Sequence, residues 1–241
     1  MNLGQRNLRY VKSVLRMRKG DELTLFDGSG WEYEAIISGI SSDGLNVDVV
    51  RTRPFRNGGN CITLMQSLPK AHKMDFIVQK ATELGVKRVV PLISSRSIPR
   101  ITPEKVSARI TRWQNIAVET ARQCARSDIP DISELLSFEE AVLQPGSDTQ
   151  KMIFWEEEST TSIRQTLRDA RFEGMTNVAV VVGPEGGFTA DEVAMAVGKG
   201  FVSVSLGSQV LKVDTAVVTI LSIIQYEKGM LGICAEKGKV E

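Results

Sequence analysis

A small β-barrel followed by an α/β domain on a mostly parallel sheet is the fold class this sequence predicts. Three observations predict it. Up to about residue 68, short alternating apolar stretches are separated by Asp-Gly turns. From Pro69 onward, apolar runs of strand length alternate with stretches of helical spacing. The rhythm changes near residues 68–73, which divides the chain into 1–68 and 73–241.

In the first part, Gly20-Asp21 precedes a strand from Glu22 to Phe26, and Asp27-Gly28 turns the chain into Trp31 to Ile37. Asp43-Gly44 turns it again into Leu45 to Val50. Several short strands with turns at this spacing predict a small barrel. Pro54 and Asn57-Gly58-Gly59-Asn60 interrupt the pattern, and Cys61 to Leu68 resumes as a strand. In the second part, Met74 to Leu84 is a helix stopped by Gly85, and Val89 to Ile93 a strand. Thr102 and Pro103 open a long helix reaching Arg126. Lys151 to Trp155 is a strand and Ser162 to Ala170 a helix. The β-branched run Val178 to Val182 reads as a central parallel strand. Thr189-x-x-Glu192 forms a capping box for the next helix, which stops before Gly198 and Gly200. Val202 to Leu206 is the last strand. Asp214 to Tyr226 is a final helix, apolar on most of its circumference and therefore buried.

Composition removes several chemistries. Cys61, Cys124 and Cys234 are far apart and, with the single His72, supply no clustered zinc ligands. No GxSxG elbow accompanies His72, so a serine hydrolase is excluded, and no metal is expected. No apolar run spans a bilayer, and the basic first twenty residues lack the apolar core of a signal peptide; the expectation is a cytoplasmic protein without a membrane partner. Residues 1–126 hold 21 Lys/Arg against 11 Asp/Glu, while the remainder holds 9 against 18. A basic half of a neutral chain points to a polyanion, with solvated faces as the plain alternative.

Three segments carry candidate chemistry. Gly183-Pro184-Glu185-Gly186-Gly187-Phe188 lies between an apolar strand and a capped helix, where open α/β sheets bind ligands. It is neither GxGxxG nor a phosphate loop, and read alone it is a binding loop or a tight turn. Leu206-Gly207-Ser208-Gln209-Val210-Leu211-Lys212-Val213-Asp214-Thr215-Ala216 also joins a strand to a helix, with Asp214 or Thr215 available as a cap. In the third, Gln123 and Arg126 share a helix face three residues apart, where Arg126 also suits the dipole. Arg96 and Arg100 flank Ser97-Ile98-Pro99 in the loop before that helix, and arginine suits bidentate phosphate contact.

Taken together, these segments resemble the RsmE family, the 16S rRNA uridine-N3 methyltransferases of the SPOUT superfamily. Val14-Leu15-Arg16 with Gly20-Asp21 is similar to the family's N-terminal signature, and Phe26-Asp27-Gly28 to its first hairpin. Gln79-Lys80-Ala81-Thr82-Glu83-Leu84-Gly85-Val86 resembles the opening of its catalytic domain. Gln123-Cys124-Ala125-Arg126 with Pro130 resembles its Gln-Ser-Gly-Arg region, with Ala125 where a glycine is usual. Gly183–Gly187 matches its most diagnostic motif unchanged. The departures are Gln209, Lys212 and Asp214, where the family usually carries Arg, Arg and Glu. Lys212 keeps the charge without the planar fork, and Asp214 keeps a carboxylate on a shorter stem.

The resemblance implies a PUA-like RNA-binding barrel over residues 1–68 and a trefoil-knotted SPOUT methyltransferase domain over 73–241. It implies S-adenosylmethionine held by Trp155, by Gly183, Pro184, Glu185 and Gly186, and by Leu206, Gly207, Leu211, Lys212, Thr215 and Ala216. Partners would be 16S rRNA or the small ribosomal subunit, and a second copy in a homodimer. Arg6, Arg9, Arg16, Arg18, Arg96, Arg100 and Arg122 are the candidate RNA contacts. For catalysis, Asp214 or Glu185 would accept the uridine N3 proton, and Arg126 or Lys212 would stabilise the resulting anion. The competing readings are a non-catalytic RNA-binding protein, a nucleotide-cofactor dehydrogenase that the missing GxGxxG disfavours, and a SPOUT enzyme for another RNA such as tRNA.

Overall fold

Strands β1 (Asn2–Leu3), β2 (Glu22–Phe26), β3 (Trp31–Ile40) and β4 (Leu45–Pro54) form an antiparallel sheet in the order β1-β4-β3-β2. A computed structural model describes residues 2–4, 8, 10–26, 28, 30–41, 44–54, 61–70, 73–98 and 102–231. The predicted turn residues Asp27, Asp43 and 57–60, and His72, lie outside the described residues. Alternation sets the core of this sheet: Ala35 and Ile37 of β3 and Leu45 and Val47 of β4 are buried two apart, with Val11 against them. Bulges at Glu34/Ala35 and Ile37/Gly39 shift the β3–β4 register.

Strands β5 (Cys61–Ser67), β6 (Arg88–Ile93), β7 (Asp131–Ile132), β9 (Thr149–Phe154), β10 (Asn177–Val182) and β11 (Val202–Val204) form a second sheet, with β8 (Leu136–Ser137) beside β6. It runs β11-β9-β10-β5-β6-β7 and is parallel at every described pairing. The helices are α1 (Lys73–Glu83), α2 (Pro103–Gln123), α3 (Phe138–Val142), α4 (Ile163–Leu167), α5 (Ala190–Gly198) and α6 (Val213–Glu227). A core of Met65, Val90, Phe138, Ile153, Val181, Phe188 and Val193 joins the sheet to α3 and α5. The capping box predicted at Thr189 and Glu192 is present, and two further boxes at Ser137/Glu140 and Ser162/Gln165 start α3 and α4.

Two expectations need correction. The pattern of the sequence places the strand expected from Cys61 to Leu68 in the barrel, yet it forms over Cys61–Ser67 and pairs with β10 and β6 in the middle of the parallel sheet. Accordingly the chain divides into residues 1–57 with 125–129, and residues 58–124 with 130–241. The strand's near-continuous burial is the mark of a sheet covered on both faces.

The long helix, expected to reach Arg126, ends at Gln123 with Cys124 as C-cap, and Ala125 turns out of it at φ 55°. Gln123 and Arg126 therefore do not share a helix face. Segment 125–129 leaves the helix to join the first unit, through a Gly28–Asp128 bridge and a 2.6 Å hydrogen bond from Ser127 Oγ to Glu32. That bond, followed by the Arg53 ion pair, holds the Glu32 carboxyl below its ordinary range against its partial burial.

Alanine is strained in the left-handed region by about 1–2 kcal/mol, and glycine gives back part of that as chain entropy. Ala125→Gly is expected to raise stability by roughly 0.5–1 kcal/mol, read as an upward shift of the urea midpoint. A lowered midpoint would mean that the Ala125 methyl makes contacts worth more than the strain.

Candidate functional site

Strands β11, β9 and β10 lie side by side and parallel, so the segments leaving their carboxyl ends converge. After β9 come Trp155 and Glu156, after β10 the 183–187 turn, and after β11 the 205–212 loop. With Lys73 and the first turn of α6, these segments enclose a cleft of about 350 Å³. That volume lies within the range of about 300–1,000 Å³ usual for small-ligand sites.

The 183–187 turn is fixed from three sides. Buried Gln66 donates through Nε2 to the Val182 and Gly183 carbonyls at 3.4 and 3.3 Å. Arg96 Nη1 donates to the Gly186 carbonyl at 2.9 Å, and a Cβ on Gly186 would come 3.2 Å from Arg96 Cβ. Gly187 adopts φ 66°, its N–H bonds the Pro184 carbonyl at 3.0 Å, and a Cβ there would collide with the Glu156 carboxylate. Beyond the turn, buried Glu192 completes the Thr189 cap and accepts Ser95 N–H at 2.7 Å, tying α5 to the loop after β6.

Charge concentrates at one wall. Lys73 Nζ lies 2.8 Å from Glu185 Oε1, and Glu185 Oε2 accepts the Lys70 N–H at 3.0 Å. Partial burial opposes ionisation of Glu185, but the Lys73 ammonium and the Lys70 N–H outweigh it, leaving the carboxyl below its ordinary range. Lys73 is raised, first by its bond to Glu185, with Asp214 adding to the field. Asp214 Oδ1 and Trp155 Nε1 are buried with no hydrogen-bond partner among the described residues. Beside the cleft, Glu158 accepts from Thr160 Oγ1 and from the Thr160 and Thr161 N–H groups, which brings its carboxyl from 4.5 to about 2 and ties down the loop after β9.

Of the residues expected to hold a cofactor, Trp155, Gly183, Pro184, Glu185, Leu206, Gly207, Leu211, Lys212 and Ala216 line this cleft. Gly186 and Thr215 do not. Gly186 faces Arg96, and Thr215 is exposed on α6, off the face shared by Val213 and Ala216. Lys73, Glu156, Gly187 and Gln209 line the cleft and are not among the cofactor ligands expected from the sequence. Asp214 sits on the first turn of α6, near Lys73. Arg126 belongs to the first unit, where its guanidinium bonds Asp128 through Nε and Nη2 at 2.9 and 2.8 Å.

The described candidate RNA contacts divide between the two units. Arg16 and Arg18 are exposed in the first unit, Arg96 supports the 183–187 turn, and Arg122 pairs loosely with Glu119 at 3.3 Å. Arg6, Arg9 and Arg100 lie outside the described residues. Among the described residues there is no cluster of metal-binding side chains and no helix long and apolar enough to cross a membrane.

An RNA methyltransferase domain family matches residues 58–225, and an RNA methyltransferase PUA domain family matches residues 3–50. The Bacillus subtilis protein named ribosomal RNA small subunit methyltransferase E is 29% identical over 92% of this chain and 88% of its own. A crystal structure of ribosomal RNA small subunit methyltransferase E from Neisseria gonorrhoeae, bound to S-adenosyl methionine, superposes with a TM-score of 0.82. It is 30% identical and covers 94% of this chain and 91% of its own. A Legionella pneumophila methyltransferase structure in complex with the same cofactor is 31% identical, with a TM-score of 0.79 and coverage of 94% and 91%.

Proposed function

The chain belongs to the ribosomal RNA small subunit methyltransferase E family, and from that premise we propose that it methylates N3 of a uridine in 16S ribosomal RNA with S-adenosylmethionine. The observation carrying the reading is the meeting of the 183–187 turn and the 205–212 loop in one cleft at the ends of parallel strands. The residues present fit the cofactor. Trp155 offers a buried indole N–H without a partner among the described residues, and Gly183, Gly187 and Gly207 put side-chain-free backbone on the cleft wall. Apolar Val182, Val204, Leu206 and Leu211 suit a purine. When bound, S-adenosylmethionine supplies an electrophilic methyl group on a sulfonium.

The chain's own residues then orient and exclude water, which accounts for much of the rate in a transfer between two aligned atoms. Uridine N3 carries a proton that must leave. Glu185 is engaged by Lys73 and by the Lys70 N–H, which favours Asp214, whose Oδ1 has no partner among the described residues, as the proton acceptor. Lys212 on the cleft wall supplies positive charge toward the developing uridine anion. Because N3 lies on the Watson–Crick edge, the target uridine is unpaired or flipped out.

The reading extends to a trefoil knot in residues 73–241, supported by the convergence of the two loops on one cleft. It extends also to a homodimer, supported by exposed Phe76 on α1 and Tyr226 on neighbouring α6, and to a cytoplasmic location.

The test uses the purified chain, methyl-labelled S-adenosylmethionine and small-subunit RNA from cells disrupted in the gene. Nucleoside mass spectrometry should show one new 3-methyluridine. Calorimetric binding of the cofactor with no methyl incorporated into ribosomal RNA, or incorporation into tRNA instead, would overturn the assignment. No heat of binding at all would return the chain to a plain RNA-binding protein.

A further inference from the structure

We propose that Lys73 and Glu185 form a subsite for the α-amino-acid end of the cofactor, the lysine ammonium taking its carboxylate and the glutamate carboxylate its ammonium. This deepens the assignment of S-adenosylmethionine to the cleft and rests on it.

Both side chains line the cleft, 2.8 Å apart, and remain 35% and 23% exposed, so a ligand can reach each of them. An α-amino acid carries its opposite charges on one carbon, and two opposite charges side by side are its complement. Charge-assisted hydrogen bonds of this kind are about twice as strong as neutral ones. Much of the rest of the wall is backbone and apolar side chain, including Val182, Val204, Leu206 and Leu211. Such a wall receives an adenosine, and Lys73 and Glu185 are the opposite charges on it that already stand side by side. Glu156 and Lys212 also line the cleft, but no ion pair among the described residues joins them.

The pair is held in place before any ligand arrives. Glu185 Oε2 is fixed by the Lys70 N–H at 3.0 Å. Lys73 starts α1, whose Met74, Ile77 and Val78 are buried. Asp214, near the Lys73 ammonium, adds a second negative charge that keeps it protonated. Lys73 precedes the 183–187 and 205–212 loops by more than a hundred residues, so it reaches the site only because β5 pairs with β10 and α1 packs against α6.

The experiment is calorimetry on the full chain with two ligands. S-adenosylhomocysteine carries the amino acid, and 5′-methylthioadenosine lacks it while keeping the adenosine and the thioether. Lys73→Met should weaken S-adenosylhomocysteine about tenfold or more and leave methylthioadenosine within about twofold. Lys73→Arg should restore most of the lost affinity, because the cation survives. Equal weakening of both ligands would show that Lys73 merely shapes the cleft, and unchanged binding of both would show that it touches neither; each result overturns the proposal. Failure of the unaltered chain to bind either ligand is a different outcome, which removes the cofactor assignment itself.

Discussion

Replacing Arg126 with alanine is expected to destabilise the first unit by about 3–5 kcal/mol. The guanidinium and the Asp128 carboxylate form a two-pronged pair at 2.9 and 2.8 Å, with side chains only 6% and 9% exposed. Truncating the arginine leaves that carboxylate buried without its cation, which costs far more than the net worth of the pair. The urea midpoint, followed by Trp31 fluorescence in the same unit, should fall accordingly; a loss under about 1 kcal/mol would mean that water reaches Asp128 readily. The resemblance in the sequence gives Arg126 a part in methyl transfer, and loss of activity in Arg126→Ala would be ambiguous because the fold suffers. An Arg126→Met, Asp128→Leu double variant removes the pair together and is expected to recover most of the stability, since apolar replacements of buried pairs are often neutral or better. Methylation by that folded variant separates the roles. Near-normal turnover assigns Arg126 to structure, and lost turnover with cofactor binding intact assigns it to the reaction.

The position of Arg126 shows what a linear reading captures and where it stops. Local signals are legible. The Thr189/Glu192 box opens α5 as expected, and the apolar run at Val178–Val182 lies in a central parallel strand. The loops at 183–187 and 206–216 are recognisable because each joins a strand to a helix, and both line the cleft. What fails depends on long-range pairing. Cys61–Ser67 has a strand's composition in either domain, and only its pairing with β10, roughly 115 residues away, assigns it to the parallel sheet. Helical spacing continues through Arg126, but the chain leaves the helix where 125–129 finds partners at Gly28 and Glu32. Within the motif, Gly186 and Gly187 are indistinguishable as letters; their roles part because one abuts Arg96 and the other Glu156. Ser137 and Glu140 form a readable capping box, but α3 spans only five residues, too few for helical spacing to stand out.

That distinction between neighbouring glycines leads to the largest expected effect on the cleft. Gly187→Ala is expected to lower affinity for S-adenosylmethionine about a hundredfold, equivalent to about 2.7 kcal/mol. Two effects combine. At φ 66° an alanine is strained by about 1–2 kcal/mol. Its methyl would also occupy the place of the Glu156 carboxylate, which must swing aside. Glu156 is exposed and free to rotate, so the chain still folds, but it lines the cleft and its movement reshapes the space for the ligand. Gly200 supplies the control. It has φ 86°, a methyl placed on it would meet nothing within 4 Å, and it lies outside the cleft lining. Gly200→Ala should therefore lose comparable stability and keep its affinity. Adding Glu156→Ala to Gly187→Ala removes the collision and should recover the part of the affinity that backbone strain does not account for. Wild-type affinity in Gly187→Ala alone would show that the turn does not border the bound cofactor, and equal loss in Gly200→Ala would trace the effect to stability instead of to the cleft.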